Sequence, residues 1–158
     1  MPWWEAEQWD TMKAGSGCFM CGDAHVSSNA HSDLLTETPA SYIRLVKNQT
    51  HPGYGVVVSK RHVAELHELS KTEIHEFSTD VAALGATVME LFQPVKIANL
   101  SMGFLCPHLH CHVFPQYPSD DPHALINVKE GDCFLPEDDW ASRLSQMRRL
   151  LSSHLEDD

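Results

Sequence analysis

The sequence predicts an α+β domain: an antiparallel sheet of about five strands, one long helix crossing it, and a C-terminal helix. Three observations predict this. Two strand-like stretches flank a turn at residues 47–53. A capping box at Ser70 opens a helical apolar pattern that Pro94 stops. Residues 107–115 alternate histidine with apolar side chains, which is the period of an extended strand.

Taken in order, residues 1–14 carry Trp3, Trp4 and Trp9 among acidic residues. They read either as a short helix laying its indoles on the body or a second subunit, or as a tail. Gly17-Cys18-Phe19-Met20-Cys21-Gly22 follows. A C-x2-C pair between glycines has the shape of a zinc knuckle, in which a tight turn presents two thiolates to one ion. A redox dithiol should open a helix after a strand, whereas residues 22–29 read as loop; incidental thiols are the third reading. Ser41–Val46 alternates like a strand, Lys47–Gly53 has turn chemistry, and Gly55–Ser59 is β-branched and reads as a central strand. The two form a hairpin.

Ser70-Lys71-Thr72-Glu73 caps the long helix, whose Ile74, Phe77, Val81, Leu84, Val88, Leu91 and Phe92 share a face. Val95–Leu100 is a further strand, and Ser101-Met102-Gly103 turns back so that the histidine strand runs antiparallel beside it. Glu137, Asp138 and Asp139 sit where a second helix begins, its positive end, and Trp140, Leu144, Met147 and Leu151 give it one apolar stripe.

Composition narrows the function. A chain of 158 residues makes one domain, 1–158, and no run approaches the roughly 18–20 apolar residues of a membrane span. Met1-Pro2-Trp3-Trp4-Glu5 has neither basic nor apolar signal character, so a cytoplasmic location is expected. Five cysteines in such a chain favour metal or free thiols over a disulfide framework. A net charge of −11 argues against nucleic acid as partner. A small nucleotide remains open if cations are local, and Arg44, Lys47, Lys60 and Arg61 cluster ahead of the histidine strand.

The row His108-Leu109-His110-Cys111-His112 sets three imidazoles on one face and buries Leu109, Cys111 and Val113 on the other. At about 3.3 Å per residue, His108 and His112 lie about 13 Å apart at the backbone, too far to share one ion. The row therefore divides its labour. One end joins a metal site and the rest faces a charged group such as a phosphate chain, where imidazole can attack, donate or carry charge.

His108-Leu109-His110-Cys111-His112-Val113-Phe114 resembles the His-φ-His-φ-His-φ-φ signature of the histidine triad (HIT) superfamily of nucleotide hydrolases and transferases, φ being hydrophobic. The likeness takes in Pro115, Asn99 and Gly103 and covers a core of residues 18–118, leaving 136–155 as a helical extension. Gln116–Asp121 looks like the matching segment of the zinc-containing bacterial branch described as diadenosine-polyphosphate-hydrolase-like.

The resemblance implies a structural zinc on Cys18, Cys21, His62 and His108, with Cys106 as rival fourth ligand. It makes His110 the nucleophile at the α-phosphorus and His112 a donor to phosphate oxygen. Asn99 and Gly103 would contact ribose or phosphate, and the loop amides Asn48 and Gln49 are further candidates for the nucleotide. It implies a homodimer paired through the long helix and a sheet edge. Where the pattern has a hydroxyl before the triad, a histidine after Pro-Gly and an arginine after the triad's proline, this chain has Phe104 and Leu105, Tyr54, and Gln116. The expected activity is hydrolysis of dinucleoside polyphosphates or nucleoside phosphoramidates. A nucleotidyltransferase or phosphorylase, a non-catalytic nucleotide-binding module and a purely structural zinc protein are the alternatives.

Overall fold

The computed structural model describes residues 3–156; the ends of the 1–158 domain, and Met1-Pro2 of the N-terminal reading, lie outside the described residues. Five strands form one antiparallel sheet: β1 (Ser32–Glu37), β2 (Ser41–Val46), β3 (Gly55–Ser59), β4 (Lys96–Leu100) and β5 (His110–Gln116). Their order is β1-β2-β3-β5-β4, which makes β3 central and leaves β1 and β4 at the edges.

β2 and β3 form the expected hairpin, with Ile43 opposite Val57 and Arg44 opposite Val56. Its turn needs Gly53, whose φ is +89°; a Cβ there would stand 2.6 Å from the Phe92 ring and 2.9 Å from a Val88 methyl. β4 runs antiparallel beside β5, as the turn at Ser101–Gly103 requires. β1 is the strand the sequence reading does not name. Its Ser-Asp-Leu-Leu-Thr-Glu lacks clean alternation, and its pairing with β2 shifts register between Leu34 and Thr36.

Among the described residues four α-helices accompany the sheet: α1 (Ala6–Lys13), α2 (Phe19–Asp23), α3 (Lys71–Phe92) and α4 (Glu137–Glu156). The capping box holds: Glu73 N donates to Ser70 Oγ at 3.2 Å and Ser70 N to Glu73 Oε2 at 2.7 Å. α3 ends where Gln93 turns left-handed, φ +52°, ahead of Pro94. α3 and α4 cover one face of the sheet, where Ile43, Leu45, Val57 and Val113 meet Leu84, Val88, Met147 and Leu151 in the main core.

The opposite face has its own cover. Met20 and Ala24 pack on Val56 and Val58; of residues 22–29, read as loop, Gly22 and Asp23 complete a five-residue helix, α2, and 24–29 is turn and loop as expected. The N-terminal indoles rest on the same chain: Trp3 meets Trp9 and Phe104 edge-on, and Trp4 Nε1 donates to Phe104 O at 2.8 Å. No helix among the described residues is long and apolar enough to cross a membrane.

Candidate active site and metal centre

Strand parity builds the site. On β5, Cys111 and Val113 enter the core under the helices, as Leu109 does just ahead of the strand; His110 and His112 turn to the face covered by α2. Both line a cavity of about 650 Å³ with Met20, Val56, Val58 and Gly103 among its walls. This face is not an open polar surface: His108 is 2% exposed and His110 6%.

His110 is held at both ring nitrogens. Nδ1 lies 2.6 Å from the carbonyl oxygen of His108, to which only an N–H can bond. The proton therefore sits on Nδ1, and Nε2 keeps its lone pair toward the cavity, 3.1 Å from His112 Nε2. His112 Nδ1 in turn lies 2.7 Å from the Tyr54 hydroxyl. Burial lowers the pKa of His110, with the His108 carbonyl acting against it. Burial, then the neighbouring His110, brings His112 down to about 4. Both rings are neutral at neutral pH, the state in which an imidazole can attack or donate without being a cation.

The first histidine of the row leaves this pair and joins another group. His108 Nδ1 lies 3.3 Å from Cys18 Sγ, 3.5 Å from Cys21 Sγ and 3.2 Å from His62 Nδ1. Cys21 Sγ is 3.3 Å from His62 Nδ1. Cys18, Cys21, His62 and His108 keep their four donor atoms within 4.8 Å of one another. Ligands at tetrahedral zinc distances of about 2.0 and 2.3 Å stand roughly 3.3–3.8 Å apart, so the spacing fits such an ion.

Two further features fit a cation. Nε2 of His108 donates to Ser59 O at 2.7 Å and Nε2 of His62 to Lys13 O at 2.9 Å, which leaves both Nδ1 atoms as free lone pairs aimed at the centre. Burial and the adjacent Cys18 push the Cys21 thiol up to about 11, a penalty that a divalent cation removes by binding the thiolates. Cys106, the rival ligand, stands behind this set: its Sγ is 3.8 Å from Cys18 Sγ, and burial pushes it up to about 12.

The other expected contacts divide between the cavity and the rest of the fold. Gly103 lines the cavity at φ +66°. Asn99 pairs in register with Val113, so its side chain belongs to the helix-covered face with Cys111, away from His110. Asn48 reaches the cavity wall, but its Nδ2 donates to Gly131 O at 2.9 Å and its Oδ1 accepts from Thr50 and Cys133. Gln49 is buried and spends its amide on Val46 O, Gly53 N and Arg143.

The cation cluster is likewise engaged. Arg44 is buried and donates to Ala24 O, Val26 O, Ser32 O and Ser32 Oγ at 2.7–2.8 Å. Lys47 pairs with Asp33, Lys60 with Glu37 and Arg61 with Glu73. Sequence reasoning marked Tyr54 only as a departure and missed its bond to His112. It also missed the carbonyls of Ser59 and Lys13, for which backbone atoms give no sequence signal.

Fold and site together define a protein that presents two neutral imidazoles, side by side, to a covered cavity, with a Cys2His2 cluster at the start of the same segment. The chain belongs to the HIT domain family, whose profile matches residues 27–119. That family groups with nucleotide hydrolases and transferases. Protein hit of Bacillus subtilis (strain 168) is 23% identical over 111 residues, 67% of this chain and 77% of that protein. A histidine triad protein from Marinobacter aquaeolei VT8 superposes with a TM-score of 0.70 at 24% identity, over 78% of this chain and 91% of that one. A Zn-bound histidine triad family protein from Mycobacterium smegmatis gives 0.63 at 14%, over 90% and 99%. At these identities the structural likenesses carry the fold.

Proposed function

We propose that the protein is a nucleotide hydrolase that cleaves at the α-phosphorus of a dinucleoside polyphosphate or a nucleoside phosphoramidate. The observation that carries this reading is the His110 ring. Its Nδ1–H is tied to the His108 carbonyl at 2.6 Å, and its Nε2 lone pair faces the cavity. In the proposed reaction Nε2 attacks the phosphorus, the bond to the leaving group breaks, and a nucleotidyl-histidine forms; water then attacks the same phosphorus and releases the nucleoside monophosphate. His112 donates to a phosphate oxygen as charge grows. With Arg44, Lys47, Lys60 and Arg61 engaged elsewhere, the imidazoles, backbone N–H groups of the Gly103 turn and Lys129 of the cavity wall are the groups offered to the phosphate. Asn48 contributes to the cavity wall. The register and the buried amide speak against side-chain roles for Asn99 and Gln49.

Zinc is the proposed occupant of Cys18, Cys21, His62 and His108. When bound it supplies a cross-link, because four protein ligands leave no open position for substrate. The Zn-bound relative from Mycobacterium smegmatis supports zinc among the divalent ions. A cytoplasmic homodimer with a small nucleotide as ligand completes the reading.

His110→Ala tests it. Turnover should fall by at least about 10³-fold while binding of a nucleoside monophosphate stays within a few-fold. Equal turnover in the variant defeats the hydrolase reading. Phosphate appearing in the nucleotide product would make the enzyme a phosphorylase of the same fold. One observation favours a non-catalytic binder: Phe104 and Leu105, 56% and 64% exposed, line the cavity where the family pattern has a hydroxyl. That reading predicts nucleotide affinity without turnover in the wild type.

A further inference from the structure

Tyr54 stands where the family pattern has a histidine, and it touches the reacting pair. Its hydroxyl is 2.7 Å from His112 Nδ1 while its ring packs edge-on against Phe114 at 4.9 Å; the residue is 6% exposed. Three contacts follow one another: Tyr54 to His112, His112 Nε2 to His110 Nε2 at 3.1 Å, and His110 Nδ1 to the His108 carbonyl at 2.6 Å.

Each contact needs one proton, and the carbonyl end fixes the count. His110 carries its proton on Nδ1, so its Nε2 can only accept. His112 must then donate from Nε2, which leaves its Nδ1 bare, and the Tyr54 O–H must donate to it. The reverse order would face two bare Nε2 lone pairs at 3.1 Å, a repulsive contact. Burial raises the phenol well above its ordinary value, so the hydroxyl keeps its proton through the range in which the protein works.

We propose that Tyr54 is a positioning residue that reinforces, by donating to Nδ1, the Nε2–H tautomer of His112 that the bare Nε2 of His110 selects, and so holds a donor aimed at the site where His110 attacks. The inference rests on the reading of His110 and His112 as the reacting pair. No proton leaves Tyr54: the phenol holds the ring, and the imidazole N–H is the group that meets substrate.

Nitrogen-15 NMR of the zinc-loaded protein, labelled at histidine, reads the tautomer directly. The wild type should show His112 with a protonated Nε2 and a bare Nδ1. Tyr54→Phe, which keeps the ring packing, should move both nitrogens toward averaged shifts, and Tyr54→His should restore the wild-type pattern. With adenosine 5′-phosphoramidate as substrate, Tyr54→Phe should lower kcat about tenfold with KM within about twofold, and Tyr54→His should recover most of the loss. Zinc content and circular dichroism verify that the variants fold. A wild-type His112 protonated at Nδ1, or a Tyr54→Phe spectrum equal to wild type, overturns the proposal. The expected spectra in a protein without turnover would uphold the tautomer lock and defeat the hydrolase reading instead.

Discussion

A nucleophilic imidazole needs one nitrogen bare and the other occupied, and at His110 the backbone just ahead of β5 provides the occupant, the carbonyl of His108. His112 illustrates the electrostatic side of the pair. An unfolded imidazole binds its proton near 6.5, whereas in the folded protein His112 binds it near 4 because it is buried beside His110. Between these values the unfolded chain holds more protons, so this group's contribution to stability is complete above about 6.5 and is lost as pH falls through about 4. Urea unfolding at pH 7 and pH 5 should therefore show the wild type losing more stability than His112→Asn. Parallel losses would mean that the ring titrates normally in the fold. The histidine row was legible at this scale because its alternation is local. Asn99 was not: its face depends on its register against Val113, which no local pattern encodes. Arg44 misled for a similar reason, since its acceptors lie 12 to 20 residues away and three of the four are carbonyls.

The element that links the two halves of the site is α2 with its preceding loop. Cys18 caps the helix by accepting from Cys21 N at 3.4 Å, and both thiols then face His62 and His108. A metal bound here would cross-link this loop to the segment whose carbonyl holds His110. Cys18→Ser should bring the protein to less than one zinc per chain and lower Tm on the order of 10 °C, with kcat falling in step. Metal analysis and calorimetry measure both; an unchanged metal content would remove Cys18 from the ligand set. The C-x2-C spacing made the knuckle readable and the capping box made α3 readable. β1 escaped because it is six residues long, irregular in register and without clean alternation, and α2 because five residues are too few to show a helical period.

For the whole molecule, the formal charge of −11 and the paired cations mean that an anionic nucleotide approaches against the net field. Raising salt from about 10 mM to about 150 mM shortens the Debye length from roughly 30 Å to roughly 8 Å and should lower KM for a dinucleoside tetraphosphate. A KM that rises with salt would require a cationic patch at the mouth of the cavity. The proposed chemistry turns on one bond, between His110 Nε2 and phosphorus. It is tested most directly by mixing the zinc-loaded protein with a dinucleoside polyphosphate, quenching within the first turnover under alkaline conditions that spare phosphorus–nitrogen bonds, and mapping the adduct by peptide mass spectrometry. One nucleoside monophosphate is expected on the peptide at His110 and none in His110→Ala. A nucleotide attached to any other residue, or His110→Ala turning over at the wild-type rate with no adduct in either protein, would contradict it.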